Sequence, residues 1–404
     1  MAIAGLPRVA LALCAVVAAA TLAGLVLLWP TGATEAKLAD TLRPPTFSAE
    51  VTAVRATDCG LPKAEGCMTV DARLTEGPDE GRSASFPAGG AGGAPEFVPG
   101  DAVRLADAGT EAAAQGLSPY AFVDYERRDP MLWLLAGFVV VVVVFGRRRG
   151  LLSLAGLAAS VAVIVVFLIP AILDGRPPLA VALTASFAVM LLTLALAHGV
   201  GPKSVAAALG TSASLLLTAL LAVVFTRLAN VTGFSSEEAV LLQDAADSLS
   251  IQGLVIAGMV IGALGVLDDV TVSQASAVLA LRRADPTLAF RRLYREAIDI
   301  GRDHVAATVN TLVLAYVGAS LPILLVFAVG DTPFGDAINR EAVSETIVGT
   351  LVGSIGLIAA VPLTTAVAAG LAVRMRGQPA RERHAHQTET SLKPATRAAR
   401  ARGR

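Results

Sequence analysis

Apolar residues in this chain fall into long uninterrupted runs, and most of the polar stretches between them are short. The runs cover residues 9–29, 131–145, 151–173, 179–197, 205–228, 251–267, 305–329 and 347–373. A bilayer crossing takes about 20 predominantly apolar helical residues, so the pattern predicts an α-helical integral membrane protein with about eight transmembrane helices. Arg147, Arg148 and Arg149 part the second run from the third by too little chain for anything but a hairpin. Residues 198–203 join the fourth to the fifth, and His198 reads there as an ordinary turn residue. The first run follows a lone Arg8 and exceeds the roughly 7–15-residue core of a secretory signal. Residues 1–29 are therefore read as an uncleaved signal-anchor helix, with cleavage near Ala33 as the alternative. Pro170, Pro322 and Pro362 are candidate kinks, and Ser235 with Glu238 has the spacing of a capping box that starts a short surface helix.

Residues 30–129 change character. They are polar and rich in Gly and Pro, with period-two segments at 49–56, 68–74, 98–105 and 120–125. Such alternation predicts a small all-β domain between helices 1 and 2, and an OB- or SH3-like five-stranded barrel fits the length. The Gly-rich piece 88–94 reads as a loop. Cys59 and Cys67 lie close together here, without metal-ligand spacing or a nearby His, and are expected to form a disulfide if the domain faces an oxidising compartment. Two free thiols are the alternative.

Composition agrees with the hydropathy pattern. Apolar residues make up 54% and charged residues 16% of the 404, against a usual quarter charged in soluble domains. Net charge is only −1, but its distribution is lopsided. Arg147–Arg149, Lys203, the six arginines of the connector 282–304 and the tail 374–404 would all fall on one side of the membrane. The positive-inside rule then makes both termini cytoplasmic and residues 30–129 extracytoplasmic. The domain plan is thus a signal anchor at 1–29, a β domain at 30–129, seven helices at 130–373 and a basic disordered tail at 374–404. The lipid bilayer is the expected partner, a homo-oligomer and an envelope partner at the external domain are candidates, and no nucleic acid is expected.

The segment 262–276 holds the most unusual chemistry. A glycine-spaced apolar helix runs into adjacent carboxylates, Asp268 and Asp269, followed by Thr271, Ser273, Gln274 and Ser276. Charge inside a span is costly and usually lines a wet cavity or meets a partner. The run before the aspartates barely crosses a bilayer, whereas continuation to Leu281 overshoots it, so a broken or re-entrant helix is expected at that point. Asp303 and Asn310 share a face of the next span and His304 lines the adjacent one. Facing the acidic pair, they would complete an ion or proton site, with an unidentified bound cation as the only candidate cofactor. Alternatively, the aspartates cap helix ends and pair with the connector's arginines. Gly258 with Gly262, and Gly349 with Gly353, have the spacing of close helix packing. Pro202 stands where a phosphate-binding loop needs Gly, and no HExxH, GxSxG or CxxC motif occurs, so no enzyme is expected.

The run Gly-Val-Leu-Asp-Asp-Val-Thr-Val-Ser-Gln-Ala-Ser ending at Ser276, Gly-Arg-Asp-His ending at His304 with Asn310-Thr-Leu, and Val-Gly-Ser-Ile-Gly ending at Gly356 resemble the bacterial YibE/F family. The resemblance covers roughly residues 120–373. It implies a multi-pass membrane protein of undetermined function and transfers no catalytic residue. The function expected from the residues is a secondary transporter or permease for an ion or small solute, coupled through the acidic pair. The alternative is a non-transporting envelope protein whose β domain binds a partner or wall component.

Overall fold

A computed structural model of the chain describes residues 7–32, 45–57, 67–89, 95–107, 119–245 and 249–375. The chain forms two compact units, one of Gly24–Ala185 and Thr232–Leu254, the other of Met1–Ala23, Ser186–Val231 and Val255–Arg404. Cys59, Ala33, most of the Gly-rich loop and the tail beyond Met375 lie outside the described residues. Cys67 is disulfide-bonded, and Cys14 is a free thiol.

Within the first unit, strands β1 (Thr46–Ala56), β2 (Met68–Leu74), β3 (Ser83–Ala88), β4 (Ala102–Asp107) and β5 (Tyr120–Tyr125) form an antiparallel sheet in the order β3-β2-β1-β4-β5. β1 is the longest and pairs on both sides, with a register shift between Val51 and Ala53 that lets it bend. Alternate residues Val51, Val70, Ala72, Leu74, Phe86, Val103 and Leu105 fill the concave side. The expected barrel does not close. Among the described residues β3 and β5 share no ladder, and aromatic rings pack across the gap between their edges. Phe86 stacks on Phe122 at 5.8 Å, and Phe97 stands edge-on to Phe122 at 5.0 Å. The result is a five-strand half-barrel. Arg104 ties its rim together, donating to Ser48 Oγ at 2.9 Å, Glu76 at 3.1 Å and the Thr46 carbonyl at 2.8 Å.

Six helices among the described residues are long and apolar enough to cross a membrane, or seven if one bent pair is a single span. Eight were expected. The difference lies in Arg128–Leu173, one 46-residue element where two spans were read. It comprises α2 (Arg128–Val163), a π turn (Ile164–Leu168) and α3 (Ile169–Leu173). Its helical path breaks at Arg147, where φ is 52° and ψ −131°. A β-carbon on Gly150 would strike the carbonyl of Val142, eight residues back. An unbroken helix would hold those positions about 12 Å apart, so the chain folds back at the arginines. Pro170, which lacks an N–H, opens α3 directly after the π turn.

The second unit is built on helix contacts close enough to require glycine. α5 (Pro202–Leu228) lies along α11 (Glu341–Arg374), with Gly210 against Thr364 and Gly356 against Thr218. A β-carbon at either glycine would overlap the threonine hydroxyl. α7 (Ile251–Ala284) joins them through Thr271, whose hydroxyl lies 2.6 Å from that of Thr211. Several seam hydroxyls return a hydrogen bond to their own helix, as Ser214 does to Gly210 and Thr218 to Ser214, whereas those of Thr364, Ser354 and Thr226 are buried with no hydrogen-bond partner among the described residues. The GxxxG spacings are not the close contacts. Gly258 faces open space, and nothing comes nearer than 3.5 Å to a β-carbon at Gly262, Gly349 or Gly353.

α7 also runs unbroken through Asp268 and Asp269, against the expected break. Its 34 residues reach about 51 Å, far beyond a hydrocarbon core of about 30 Å. No Gly or Pro occurs from Val266 to Asp285, so nothing interrupts the ladder, and the surplus length is polar enough to leave the bilayer. α8 (Phe290–Ala319) and α9 (Leu321–Val329) do break, bending by 60° at Ser320 ahead of Pro322. α11 carries Pro362 without a break in its helical span, and the short helix α10 (Phe334–Asn339) precedes it. Completing the set are α1 (Arg8–Leu27), α4 (Pro178–Thr193), and α6 (Glu237–Ala245), whose cap is Ser236 rather than Ser235.

Two outcomes follow from these contacts. Gly356→Ala should lower the thermal midpoint in detergent, at a cost of about 1–3 kcal/mol from overpacking; adding Thr218→Ala should recover most of it. In the half-barrel, carboxylates sit below their ordinary pKa: Asp71 through the Ser85 hydroxyl and Arg55, Asp79 through Arg82 and Tyr120, Glu126 through the Arg128 N–H. Groups depressed on folding lend stability that is complete above the unfolded carboxylate pKa of about 4 and is lost as pH falls through the folded values. The infrared β-sheet band should therefore melt at lower temperature only on acidification below about pH 4.

Candidate functional site

α4 ends in a π turn, Leu194–His198, and the backbone then breaks at Gly199, with φ 69° and ψ −178°. Glycine takes that positive φ without penalty. Gly201 is extended, and Pro202 starts α5 with the φ that a first helical residue needs. Ser204 secures the corner by donating its hydroxyl to the Gly199 carbonyl. This construction sets His198 and Lys203 at one end of the helices, opposite the middle of α7.

Between them lies a cavity of about 530 Å³, lined by His198, Lys203, Gly265, Asp268, Asp269, Val272, Ser273 and Ser276. The α7 residues recur at helical spacing, so one face of that helix forms one wall. Gly265 adds no side chain, which leaves room beside the carboxylates. Asp268 Oδ2 accepts a hydrogen bond from Thr193 at 3.1 Å. Thr193 Oγ1 is also 3.1 Å from the Met190 carbonyl. A hydroxyl has one hydrogen to give and two lone pairs, so Thr193 can donate to an ionised Asp268, or accept from a protonated one while donating to Met190. Both charge states of Asp268 thus have a satisfied arrangement on that side. On the other, Asp268 Oδ1 is buried with no hydrogen-bond partner. Such an oxygen is expensive when charged, and it marks where a proton, water or cation would bind. Asp269 is exposed, and beside the pair stand a lysine, an imidazole and the hydroxyls of Ser273 and Ser276.

The expected site residues divide into three groups. Asp268, Asp269 and Ser273 line the cavity. Gln274 is 4% exposed and instead ties helices together, donating to the Ala297 carbonyl at 2.8 Å and to Thr365 Oγ1 at 2.7 Å. Asp303, His304 and Asn310 are exposed on α8, and none of them lines the cavity. For Asp303 and Asn310 the reason is rotational. α8 turns Leu293, Ala297 and Gly301 inward, Gly301 against Gln274 and Val361, and Asp303 lies about 200° further round. His198, read as a turn residue, takes the place expected for His304. Among the described residues no three His, Cys, Asp or Glu side chains stand close enough to hold a metal ion.

The family model for YibE/F-like protein matches residues 134–374. The chain belongs to the YibE/F-like protein family. The matched stretch contains every residue of the cavity, whereas the half-barrel precedes it. No curated protein and no solved structure matches the chain. Membership of the YibE/F-like family therefore accounts for the multi-pass helices and assigns no role to a residue.

Neighbouring positions on α7 give a direct test of the cavity wall. In a Cys14→Ser background, Ser273→Cys should react readily with a membrane-impermeant maleimide in purified protein. Gln274→Cys should stay unlabelled until denaturant is added.

Proposed function

We propose that the chain is a secondary transporter or permease for an ion or small solute, with Asp268 and Asp269 as its coupling site. The observation that carries this reading is the buried, unpartnered Oδ1 of Asp268 at the wall of a cavity large enough for a small solute. Lys203 would balance part of the charge of the acidic pair, His198 would offer it an imidazole, and Thr193 would serve both states of Asp268. The fold-back at Arg147 supports counting α2 as two crossings, which with the bent α8–α9 pair makes eight. On that count both termini are cytoplasmic, the cavity opens to the cytoplasmic side, and the half-barrel is external. Its strand order, with β1 between β2 and β4 and an open β3–β5 seam, is that of a partly open barrel of OB type.

The test is the thermal stability of purified protein against pH and against Na⁺, K⁺, Mg²⁺, Ca²⁺ and Mn²⁺ in turn. One cation, or protons, should raise the wild-type midpoint, by an amount equivalent to about 2.7 kcal/mol at a hundredfold excess over Kd. Asp268→Asn should weaken that effect about ten- to hundredfold, the loss of one charge-assisted ligand, and should abolish flux of the same ion in proteoliposomes. Normal ion response and normal flux in both Asp268→Asn and Asp269→Asn would sink the proposal.

A further inference from the structure

α8 carries polar side chains that the cavity leaves unused. Asp303, Ala307, Asn310 and Leu314 follow one another at spacings of four, three and four along an exposed line, with His304 and Thr311 on its flank. The hydroxyl of Thr311 is satisfied by the Ala307 carbonyl at 2.7 Å. The side chains of Asp303, His304 and Asn310 make no hydrogen bond to any described residue. The other face of the same stretch is the partly buried one, through Val305, Thr308, Val309, Leu312 and Tyr316.

With α8 taken along the membrane normal and α8–α9 as one span, the bend after Ala319 sets how deep these residues lie. α9 is nine residues long, about 13 Å, and a 60° tilt halves the height it gains to about 7 Å. Of a hydrocarbon core about 30 Å thick, about 23 Å is left to α8, or about fifteen residues counted back from Ala319. Asp303 and His304 then sit at the headgroup level and Asn310 sits inside. An amide in hydrocarbon needs a partner from another helix or from water.

We infer that this face of α8 packs against the same face of a second copy of the chain. A two-fold axis along the membrane normal brings equal depths together, so each residue meets its counterpart or its counterpart's neighbour. Asn310 suits that arrangement because an amide both donates and accepts and can pair with itself. At the headgroup level, the carboxylate of Asp303 in one copy faces the imidazole of His304 in the other. Ala307 between them lets the two helices approach closely. Hydrocarbon would leave the Asn310 amide without a partner, and no described residue of the same chain bonds to it.

The experiment is cysteine cross-linking in membranes, in a Cys14→Ser background. Asn310→Cys should form a disulfide-linked dimer on mild oxidation, whereas Leu312→Cys, which faces Gly353 of its own chain, should not. Absence of dimer with the introduced Asn310→Cys thiol open to a water-soluble maleimide would mean a wet passage within one copy and would overturn the inference. Absence of dimer without labelling would mean a lipid-facing helix and would equally overturn it. Should Asn310→Cys fail to fold, the mass of the wild-type protein in lipid nanodiscs decides, a dimer supporting the inference and a monomer defeating it.

Discussion

Helices in a bilayer approach to backbone distance only where side chains are small, and the threonine–glycine seam of the second unit is built around that constraint. Thr364 and Thr218 fill the space that side chains at Gly210 and Gly356 would take, so α5 and α11 approach to backbone distance. Thr211 then meets Thr271, and that contact sets the rotation of α7. Thr271 reaches back to the carbonyl of Asp268 at 3.1 Å, so the same residue that docks the helix also braces the turn holding the carboxylate. With the rotation set, Asp268, Asp269 and Ser273 fall on the open face and Gln274 on the packed one. The cavity is a consequence of helix packing before it is a feature of any single side chain.

Much of the architecture is legible in the sequence because hydropathy and length act locally. Strands β2 and β5 lie where the alternation places them, and the apolar runs fall largely within helices, of which α7 ends and α8 begins well outside its run. β3 escapes notice because Ser83–Ala88 is short, small and includes Pro87. The barrel's failure to close is likewise invisible, since closure depends on whether two edge strands reach each other across the core. In the site, Asp268 and Asp269 announce themselves by their cost in an apolar helix. Asp303, His304 and Asn310 do not join them because sequence spacing says which residues share a face and not which neighbour the face meets. The break expected at the aspartates fails for a similar reason: surplus length in α7 can simply leave the bilayer, so length alone never required a kink. His198 is hidden by its glycine neighbours, which give it the look of a loop.

The half-barrel and the second unit's helices answer to different solvents. The half-barrel has an aqueous protein's core of Val, Leu and Phe, with ion pairs such as Arg82–Asp79 on its outside. The helical unit has its apolar residues outermost and its serines and threonines within, among them the fully buried Thr211, Ser214, Thr218 and Thr365. That inversion is what a hydrocarbon solvent imposes. The stretch that places the chain among YibE/F-like proteins takes in parts of both units and leaves out the half-barrel and α1.

The π turn at the end of α4 inserts one residue into a helical ladder, and its effect is angular. One extra residue turns everything beyond it by about 100° relative to a continuous α-helix. His198 is the last residue of that turn, so its direction is a matter of phase. Losing any one of residues 194–197 would relax the turn to ordinary α geometry and swing the imidazole aside while leaving hydropathy, length and topology untouched. The wall opposite Asp268 is thus tuned by the number of residues in the chain as much as by their kind.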